Sequence, residues 1–185
     1  MDESKEPHRR SIRLKEYDYG HPGAYFVTVC THRRKCLFGE IGQGKIVLKE
    51  MGKIVEKEYM ISSKIRREIG LDAFVIMPNH IHGIVTICDH HPVGATGRSP
   101  LHSKHRTLPP KSLGSFVAGF KSSVTQRINE IRGTPGQPVW QRNYYEHVIR
   151  NEIDLQEIRE YIQDNPLKWL EDENHPANIE KAMKS

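Results

Sequence analysis

The sequence predicts an α+β protein with a ferredoxin-like sandwich, in which an antiparallel sheet carries helices packed on one face. Three observations indicate this class. The apolar patterns give the order strand, strand, helix, hairpin, helix, strand, helix; two strands follow each other directly as a hairpin; and strands and helices do not alternate strictly, as they do in parallel sheets. The 185 residues suffice for one domain with a hydrophobic core.

The N-terminal elements follow from short apolar patterns. Residues 24–31, AYFVTVCT, are β-branched and aromatic and follow Pro-Gly, which predicts a strand. A second short strand, KIVLKE, begins at Lys45. Over residues 51–69, isoleucines recur at helical or near-helical spacing among charged residues, and Gly70 supplies a stop. We therefore expect two strands followed by an amphipathic helix.

The remaining elements are a hairpin, a helix, a strand and a final helix. The apolar strands LDAFVIM and HIHGIVTI are joined across Pro78 and Asn79, which is typical of a tight turn. Apolar residues that repeat every three or four positions predict a long helix over 113–133. The stretch VWQRNYYEHVIR predicts a last strand, and NEIDLQEIREYIQDN predicts a last helix that ends before Pro166.

The chain is predicted to form one domain with two tails. Residues 1–20 are an N-terminal tail, residues 21–170 the domain and residues 171–185 a C-terminal tail. Within the domain, residues 89–112 are rich in Pro, Gly, His and basic residues, which predicts a flexible insertion. The start, MDESKEPHRRSIR, is charged, and no apolar run approaches the ~20 residues of a membrane span. We therefore expect a cytoplasmic protein without membrane association.

Positive charge is concentrated in one part of the chain. The whole chain has a net charge of +5 and a pI near 9.1. Residues 90–150 alone contain nine basic and two acidic residues, a net charge of +7. Such a basic segment either is a solvated surface or contacts the phosphates of a nucleic acid.

Two histidines, His80 and His82, open the second strand of the hairpin. Side chains alternate along a strand, so both imidazoles project from one face, about 7 Å apart at the backbone, while Ile81 points the other way. Each neutral imidazole offers one nitrogen to a metal ion. The alternative is that these histidines only form hydrogen bonds on a half-buried sheet, so a third ligand is needed to define a metal site.

The last predicted helix carries Tyr161 and Asn165, which are four residues apart and so lie one turn above the other on the same side. The amide oxygen of Asn165 would complete a His-His-Asn site, with the phenol of Tyr161 beside it as a nucleophile. A mixed set of nitrogen and oxygen ligands suits Mg²⁺ or Mn²⁺. Alternatively, Tyr161 fills the edge of the core beside Ile158 and Asn165 only ends the helix.

Other residues could take part in a site. Tyr144 and Tyr145 are alternative nucleophiles, but a strand places no metal ligand one helical turn away from them, so we expect core or base-stacking roles. His147 on the same strand could face the site, although we expect a structural role. His90 and His91, in the predicted insertion, are not expected to be ligands.

Two motifs, MPNHIHGIV and YIQDNPLKW, resemble those of the single-tyrosine H-U-H transposases, in particular the REP-associated tyrosine transposases. The resemblance extends over most of the chain, from IRLKEYDY and GAYFVTVCTHRR through SFVAGFKSSVTQRIN and VWQRNYYEHVIRNEIDL to NPLKW. It implies that His80 and His82 bind a divalent ion, with Asn165 as the third ligand. It also implies that Tyr161 is the nucleophile.

The resemblance implies a transposase that nicks and rejoins single-stranded or hairpin DNA. Attack of the tyrosine on a metal-polarised phosphate would leave a 5′-phosphotyrosine and a free 3′-hydroxyl. The basic residues Lys121, Arg127, Arg142 and Arg150 are expected to contact the DNA. The alternative is a domesticated relative that binds hairpin DNA or RNA without cutting it, and both a monomer and a homodimer remain open.

Overall fold

The computed structural model describes residues 21–88 and 111–184 of the chain. Within these ranges the strands are β1 (Gly23–Cys30), β2 (Gly39–Gly42), β3 (Lys45–Leu48), β4 (Ile69–Ile76), β5 (His80–Ile87) and β6 (Tyr145–Ile149). The helices are α1 (Glu50–Ile65), α2 (Leu113–Arg132), α3 (Glu152–Asp164) and α4 (Pro176–Lys184). Short 3₁₀ helices cover His32–Arg34 and Trp169–Glu171.

Four strands form one sheet in the order β4-β5-β1-β6, and every neighbouring pair is antiparallel. The helices α1 and α2 connect β1 to β4 and β5 to β6, while β2 and β3 form a separate hairpin. A β-α-β-β-α-β order on an antiparallel sheet is the ferredoxin-like arrangement. The predicted fold class is confirmed.

Helices cover both faces of the sheet. On one face, Tyr25 of β1 belongs to a core that includes Tyr59 of α1 and the apolar side of α2. On the other face, Ile162 of α3 packs with Phe26 and Ile84. The predicted single helical layer therefore consists of α1 and α2, and α3 adds a second layer because alternate residues of β1 and β5 give it an apolar surface.

Gly70 lies inside β4 and does not end the preceding helix, contrary to the prediction. The helix α1 ends earlier, at Ile65, where Arg66 is already extended with φ −112° and ψ 94°. A Cβ atom on Gly70 would lie 2.2 Å from Oγ1 of Thr86 on the paired strand β5. A side chain at this position would therefore make the Thr86 hydroxyl shift, and glycine avoids this contact.

The last strand is shorter than predicted. The segment before β6 meets the sheet through an isolated bridge between Trp140 and Thr31. The amide of Gln141 then donates to the carbonyl of Cys30 at 2.9 Å. Residues 141–143, which we call the 141–143 loop, have neither helical nor strand conformation and lie beside the end of β1.

The boundaries of α2 agree with the prediction, and the segment predicted as a C-terminal tail includes a helix. Ser112 caps the N-terminus of α2, and Gly133 ends the helix with a φ of +63°. The predicted tail over 171–185 contains α4. The N-terminal tail 1–20 and most of the insertion 89–112 lie outside the described residues. No helix in the described ranges is long and apolar enough to cross a membrane.

Candidate active site

His80 and His82 face each other beneath α3. Both lie on the face of β5 that α3 covers, and their exposed fractions are 0% and 2%. Their Nε2 atoms are 2.9 Å apart. Alternation along β5 therefore directs both ring edges to one buried point.

Hydrogen bonds from Asn79 determine the tautomer of His80. The Nδ2 atom of Asn79 donates to the carbonyl oxygens of Arg34 at 3.1 Å and Asn174 at 2.7 Å. The Oδ1 atom of the same amide is thus the acceptor that lies 2.8 Å from Nδ1 of His80. The proton of His80 is therefore on Nδ1, and Nε2 keeps its lone pair for a metal ion.

His82 is compatible with two tautomers. Its Nδ1 atom lies 2.8 Å from Oγ1 of Thr28, and a hydroxyl can either donate or accept. With the proton on Nε2, His82 donates to His80. With the proton on Nδ1, His82 donates to Thr28, and both Nε2 lone pairs are directed to the shared point. The second tautomer presents two nitrogen ligands to a cation.

Burial keeps both rings neutral. Desolvation, with a smaller effect of Arg34, lowers the pKa of His80 to about 3. Desolvation also lowers the pKa of His82 well below its usual value, followed by the charge of His80, whereas the carboxylate of Asp172 opposes the shift. Because metal ions bind the neutral imidazole, both histidines are in the required form.

Asp172 is a third candidate ligand, which the sequence analysis missed. Its side chain is buried, and its Oδ2 atom lies 3.6 Å from Nε2 of His80. The ligand atoms of His80, His82 and Asp172 are within 4.8 Å of one another. Among the described residues Oδ2 has no hydrogen-bond partner, and a buried carboxylate oxygen without one is unfavourable unless a cation or water satisfies it. This group could hold a metal ion.

The chain after α3 carries Asp172 back to the histidines. The ring of Trp169 packs beside His80 with 6.1 Å between centroids. The backbone amide of Asn174 donates to Oδ1 of Asp172 at 2.6 Å. The backbone carbonyl of Asn174 accepts the hydrogen bond from the side chain of Asn79. The segment that carries Asp172 is therefore tied to the turn that begins the histidine strand.

Tyr161 lies at the edge of this group, and Asn165 follows it one helical turn later on the same side. The hydroxyl of Tyr161 is 3.4 Å from Nε2 of His82, and its ring packs edge-on against Phe26. Tyr161 is 45% exposed, so a substrate can reach it. Asn165 is buried, and its Oδ1 atom has no hydrogen-bond partner in the described part of the chain. An amide oxygen of this kind suits a cation.

The surroundings of Tyr161 favour the protonated phenol. Burial raises its pKa, the carboxylate of Asp172 raises it further, and the neighbouring amide of Asn165 lowers it. At neutral pH the phenol therefore carries its proton. A cation between the histidines and Asp172 would oppose the effect of the carboxylate and favour the phenolate.

A cleft of about 530 Å³ opens over Tyr161 and His82. Its walls include Arg34, Tyr144, Tyr145 and, from the 141–143 loop, Gln141 and Asn143. Tyr145 is 47% exposed, so it presents an aromatic surface to the cleft. Aromatic and polar side chains of this kind can bind an unpaired nucleic-acid strand.

Comparison with known proteins finds a close relative in sequence. A protein of Haemophilus influenzae, described as an uncharacterized protein, is 41% identical over 173 residues, which cover 90% of this chain and 92% of that protein. The chain belongs to the same family as this protein. No protein-family model matches the chain.

A solved structure shares the fold. It is a REP-associated tyrosine transposase bound to a REP hairpin, with a TM-score of 0.58 and 22% identity over 86% of this chain and 74% of that chain. The protein has the fold of this transposase. The resemblance identified from the two sequence motifs is thereby confirmed at the level of the fold.

The four basic residues expected to bind DNA lie in different surroundings. Arg142 is exposed in the 141–143 loop beside the cleft, and Arg150 is exposed just after β6. Arg127 pairs with Glu58 of α1, on the side of the sheet opposite the cleft. Lys121 donates to carbonyl oxygens of the 141–143 loop. Arg142 is therefore the one of the four that lies in a segment bordering the cleft.

The remaining candidates have other contacts. Tyr145 packs against Phe26 and lines the cleft together with Tyr144. His147 lies 3.1 Å from Oδ2 of Asp154, so it ties β6 to α3. His90 and His91 lie outside the described residues.

Proposed function

We propose that the protein is a DNA transposase that cleaves and rejoins single-stranded or hairpin DNA, with Tyr161 as the nucleophile. The observation that carries this proposal is the position of the Tyr161 hydroxyl, 3.4 Å from Nε2 of His82 and beside three candidate ligands that face one point. A tyrosine attacks a phosphate efficiently when the phosphate is held in line and its charge is stabilised. The fold shared with a transposase bound to a REP hairpin supports hairpin DNA as the substrate.

His80, His82, Asp172 and Asn165 would hold a divalent metal ion. Two imidazole nitrogens, a carboxylate oxygen and an amide oxygen form a mixed set that suits Mg²⁺ or Mn²⁺. The buried oxygens of Asp172 and Asn165, which have no hydrogen-bond partner among the described residues, fit a cation. When bound, the ion would supply charge stabilisation for the phosphate oxygens. Asp172 is an addition to the His-His-Asn set expected from the sequence.

Tyr161 would attack the phosphorus on the side opposite the 3′ oxygen. A bond forms between its hydroxyl oxygen and the 5′-phosphate, and the bond from phosphorus to the 3′ oxygen breaks. The proton that the phenol loses is balanced by the proton that the 3′-hydroxyl gains. Because the phosphotyrosine is itself a phosphodiester, another 3′-hydroxyl can reverse the step and rejoin DNA without a nucleotide cofactor.

DNA would bind along the cleft. Tyr144 and Tyr145 offer aromatic faces for unpaired bases, and Arg142 and Arg150 offer charges for phosphates. The candidate ligands and Tyr161 all come from one chain, so one protomer would suffice for cleavage, and a homodimer would serve to bring two DNA ends together. A DNA substrate would place this activity in the cytoplasm.

A covalent-adduct assay tests the proposal. The protein is incubated with Mn²⁺ and with pools of 5′- or 3′-labelled hairpin oligonucleotides that have randomised flanks, then run on a denaturing gel. We expect label to migrate with the protein when it lies on the strand 3′ of the cut. Tyr161→Phe should abolish the adduct while Mn²⁺ and DNA binding persist. Tyr145→Phe, in the same cleft, is the matched control and should keep the adduct.

The outcomes separate the hypotheses. Tyr161→Phe removes one oxygen from a half-exposed ring, so lost folding would not explain a missing adduct. An adduct that survives in Tyr161→Phe and disappears in Tyr145→Phe would move the nucleophile to β6. Hairpin binding without any adduct in the parent protein would support the domesticated, non-catalytic binder instead.

A further inference from the structure

Lys121 of α2 holds the 141–143 loop from the protein side. Its Nζ atom lies 2.5 Å from the carbonyl oxygen of Gln141, 3.2 Å from that of Arg142 and 3.4 Å from that of Asn143. These acceptors belong to three consecutive residues, and an ammonium group has one hydrogen for each. Lys121 is half-buried at this position.

The ammonium group of Lys121 favours the convergence of the three carbonyl groups. Carbonyl oxygens that point to one place repel one another, and a charged donor turns that arrangement into a favourable one. The 141–143 loop has neither helical nor strand conformation that would otherwise direct its carbonyls. Without the ammonium group of Lys121, we therefore expect the loop to open more readily.

The same loop forms a wall of the cleft. Gln141 and Asn143 line it, next to Tyr144 and Tyr145. Arg142, between the first two, is exposed to solvent. The surface that these residues present to a nucleic acid thus depends on the main chain that Lys121 holds.

We infer that Lys121 is a positioning residue for nucleic-acid binding, which orders the 141–143 loop and through it one wall of the cleft, and that it does not contact phosphate. The inference rests on the proposed DNA-binding function and replaces the expectation that Lys121 binds DNA itself. Arg142 then supplies the direct phosphate contact of the loop. A residue that acts through a loop changes the fraction of binding-competent protein, whereas a phosphate contact also changes counterion release.

Hydrogen exchange read by mass spectrometry tests the structural part without DNA. Lys121→Met keeps the aliphatic stem and removes the ammonium group. We expect amides of residues 141–145 to exchange roughly tenfold faster or more, because charge-assisted hydrogen bonds that close the loop are lost. Peptides from β5 should keep their protection. Arg142→Met, in the loop itself, is the matched control and should leave exchange unchanged, and Lys121→Arg should restore most of the protection.

The salt dependence of hairpin binding tests the role in recognition. For Lys121→Met we expect affinity to fall roughly 3- to 10-fold, by loss of the competent loop. The slope of log affinity against log salt concentration should stay at the parent value, and Lys121→Arg should restore affinity. Arg142→Met should instead reduce the slope by about 0.7 to 0.9, as expected for one lost phosphate contact.

Two results would overturn the inference: unchanged loop exchange in Lys121→Met, or a salt slope that falls as it does in Arg142→Met. If β5 also loses protection in Lys121→Met, the polar variant Lys121→Gln, which likewise removes the charge, replaces it under the same two criteria. Failure of the parent protein to bind any hairpin would refute the proposed function. The exchange comparison would still decide whether Lys121 holds the loop.

Discussion

Replacing Thr28 by valine removes one hydroxyl group from the hydrogen bonds that orient His82. Thr28 lies opposite His82 in the pairing of β1 with β5, and its Oγ1 atom is 2.8 Å from the Nδ1 atom of the ring. Valine is also β-branched, so the strand conformation should persist. In the tautomer that binds metal, His82 carries its proton on Nδ1. In Thr28→Val this proton loses the hydroxyl group that accepts its hydrogen bond.

The expected loss of metal affinity follows from comparing the free and bound states. In the metal-free protein the hydroxyl makes one neutral hydrogen bond, worth about 1 kcal/mol. A cation on Nε2 polarises the ring, so the Nδ1 proton is donated more strongly and the hydroxyl contributes more in the bound state. Removing an outer partner of a metal ligand costs about 10- to 100-fold in affinity. Since one hydrogen bond is removed, we expect the affinity for the metal ion to fall about tenfold, which corresponds to about 1.4 kcal/mol of binding free energy.

Calorimetric titration with Mn²⁺ measures this effect. Thr86→Val, on β5 itself but at its far end, is the matched control and should bind Mn²⁺ like the parent protein. Urea unfolding without metal should show that Thr28→Val loses about 1 kcal/mol of stability. Parent-like Mn²⁺ affinity in Thr28→Val would refute the role of Thr28 in orienting His82. An equal loss in Thr86→Val would attribute the effect to the strand as a whole.

Two further predictions concern acidic residues. Asp172→Asn should weaken Mn²⁺ binding in calorimetry, because it removes the anionic member of the ligand group, whereas Glu173→Gln next to it should have a much smaller effect. Asp72 pairs with Arg159 of α3, whose hydrogen bonds are the main cause that lowers the Asp72 pKa. The pair should therefore stabilise the protein above the unfolded-state pKa of about 3.9 and lose this contribution as pH falls through the lower folded-state pKa. Urea unfolding should show Asp72→Asn to be less stable by up to about 1 kcal/mol at pH 7, with a difference that shrinks as the pH falls below the unfolded-state pKa.

The parts of the candidate site that depend on local periodicity could be predicted from the sequence. The common face of His80 and His82 follows from alternation along a strand, and the proximity of Tyr161 and Asn165 follows from helical spacing. Gly70 shows where this reasoning fails. A glycine after a helical pattern predicts a stop, but this one lies inside β4, where a side chain would contact the Thr86 hydroxyl of the neighbouring strand.

The parts that depend on contacts distant in sequence could not be predicted. Asp172 reaches the histidines because the chain turns back after α3, and no spacing within the predicted tail indicates this. In the sequence, Lys121 cannot be distinguished from any exposed lysine. Its role depends on contact with the 141–143 loop, some twenty residues later, and this contact forms only in the folded protein. In both cases the partner is determined by the tertiary structure rather than by the neighbouring residues.

The alternation of side chains along β5 makes the site sensitive to chain length. Ile81 and Val85 belong to the core beneath α1 and α2, whereas His80 and His82 face α3. Deleting one residue within this strand would turn the following side chains over. An imidazole would then enter the apolar layer, and an isoleucine would face the cleft. Variants of this chain that keep the site can therefore carry substitutions along β5. Insertions and deletions should be tolerated only in the connections on either side of this strand.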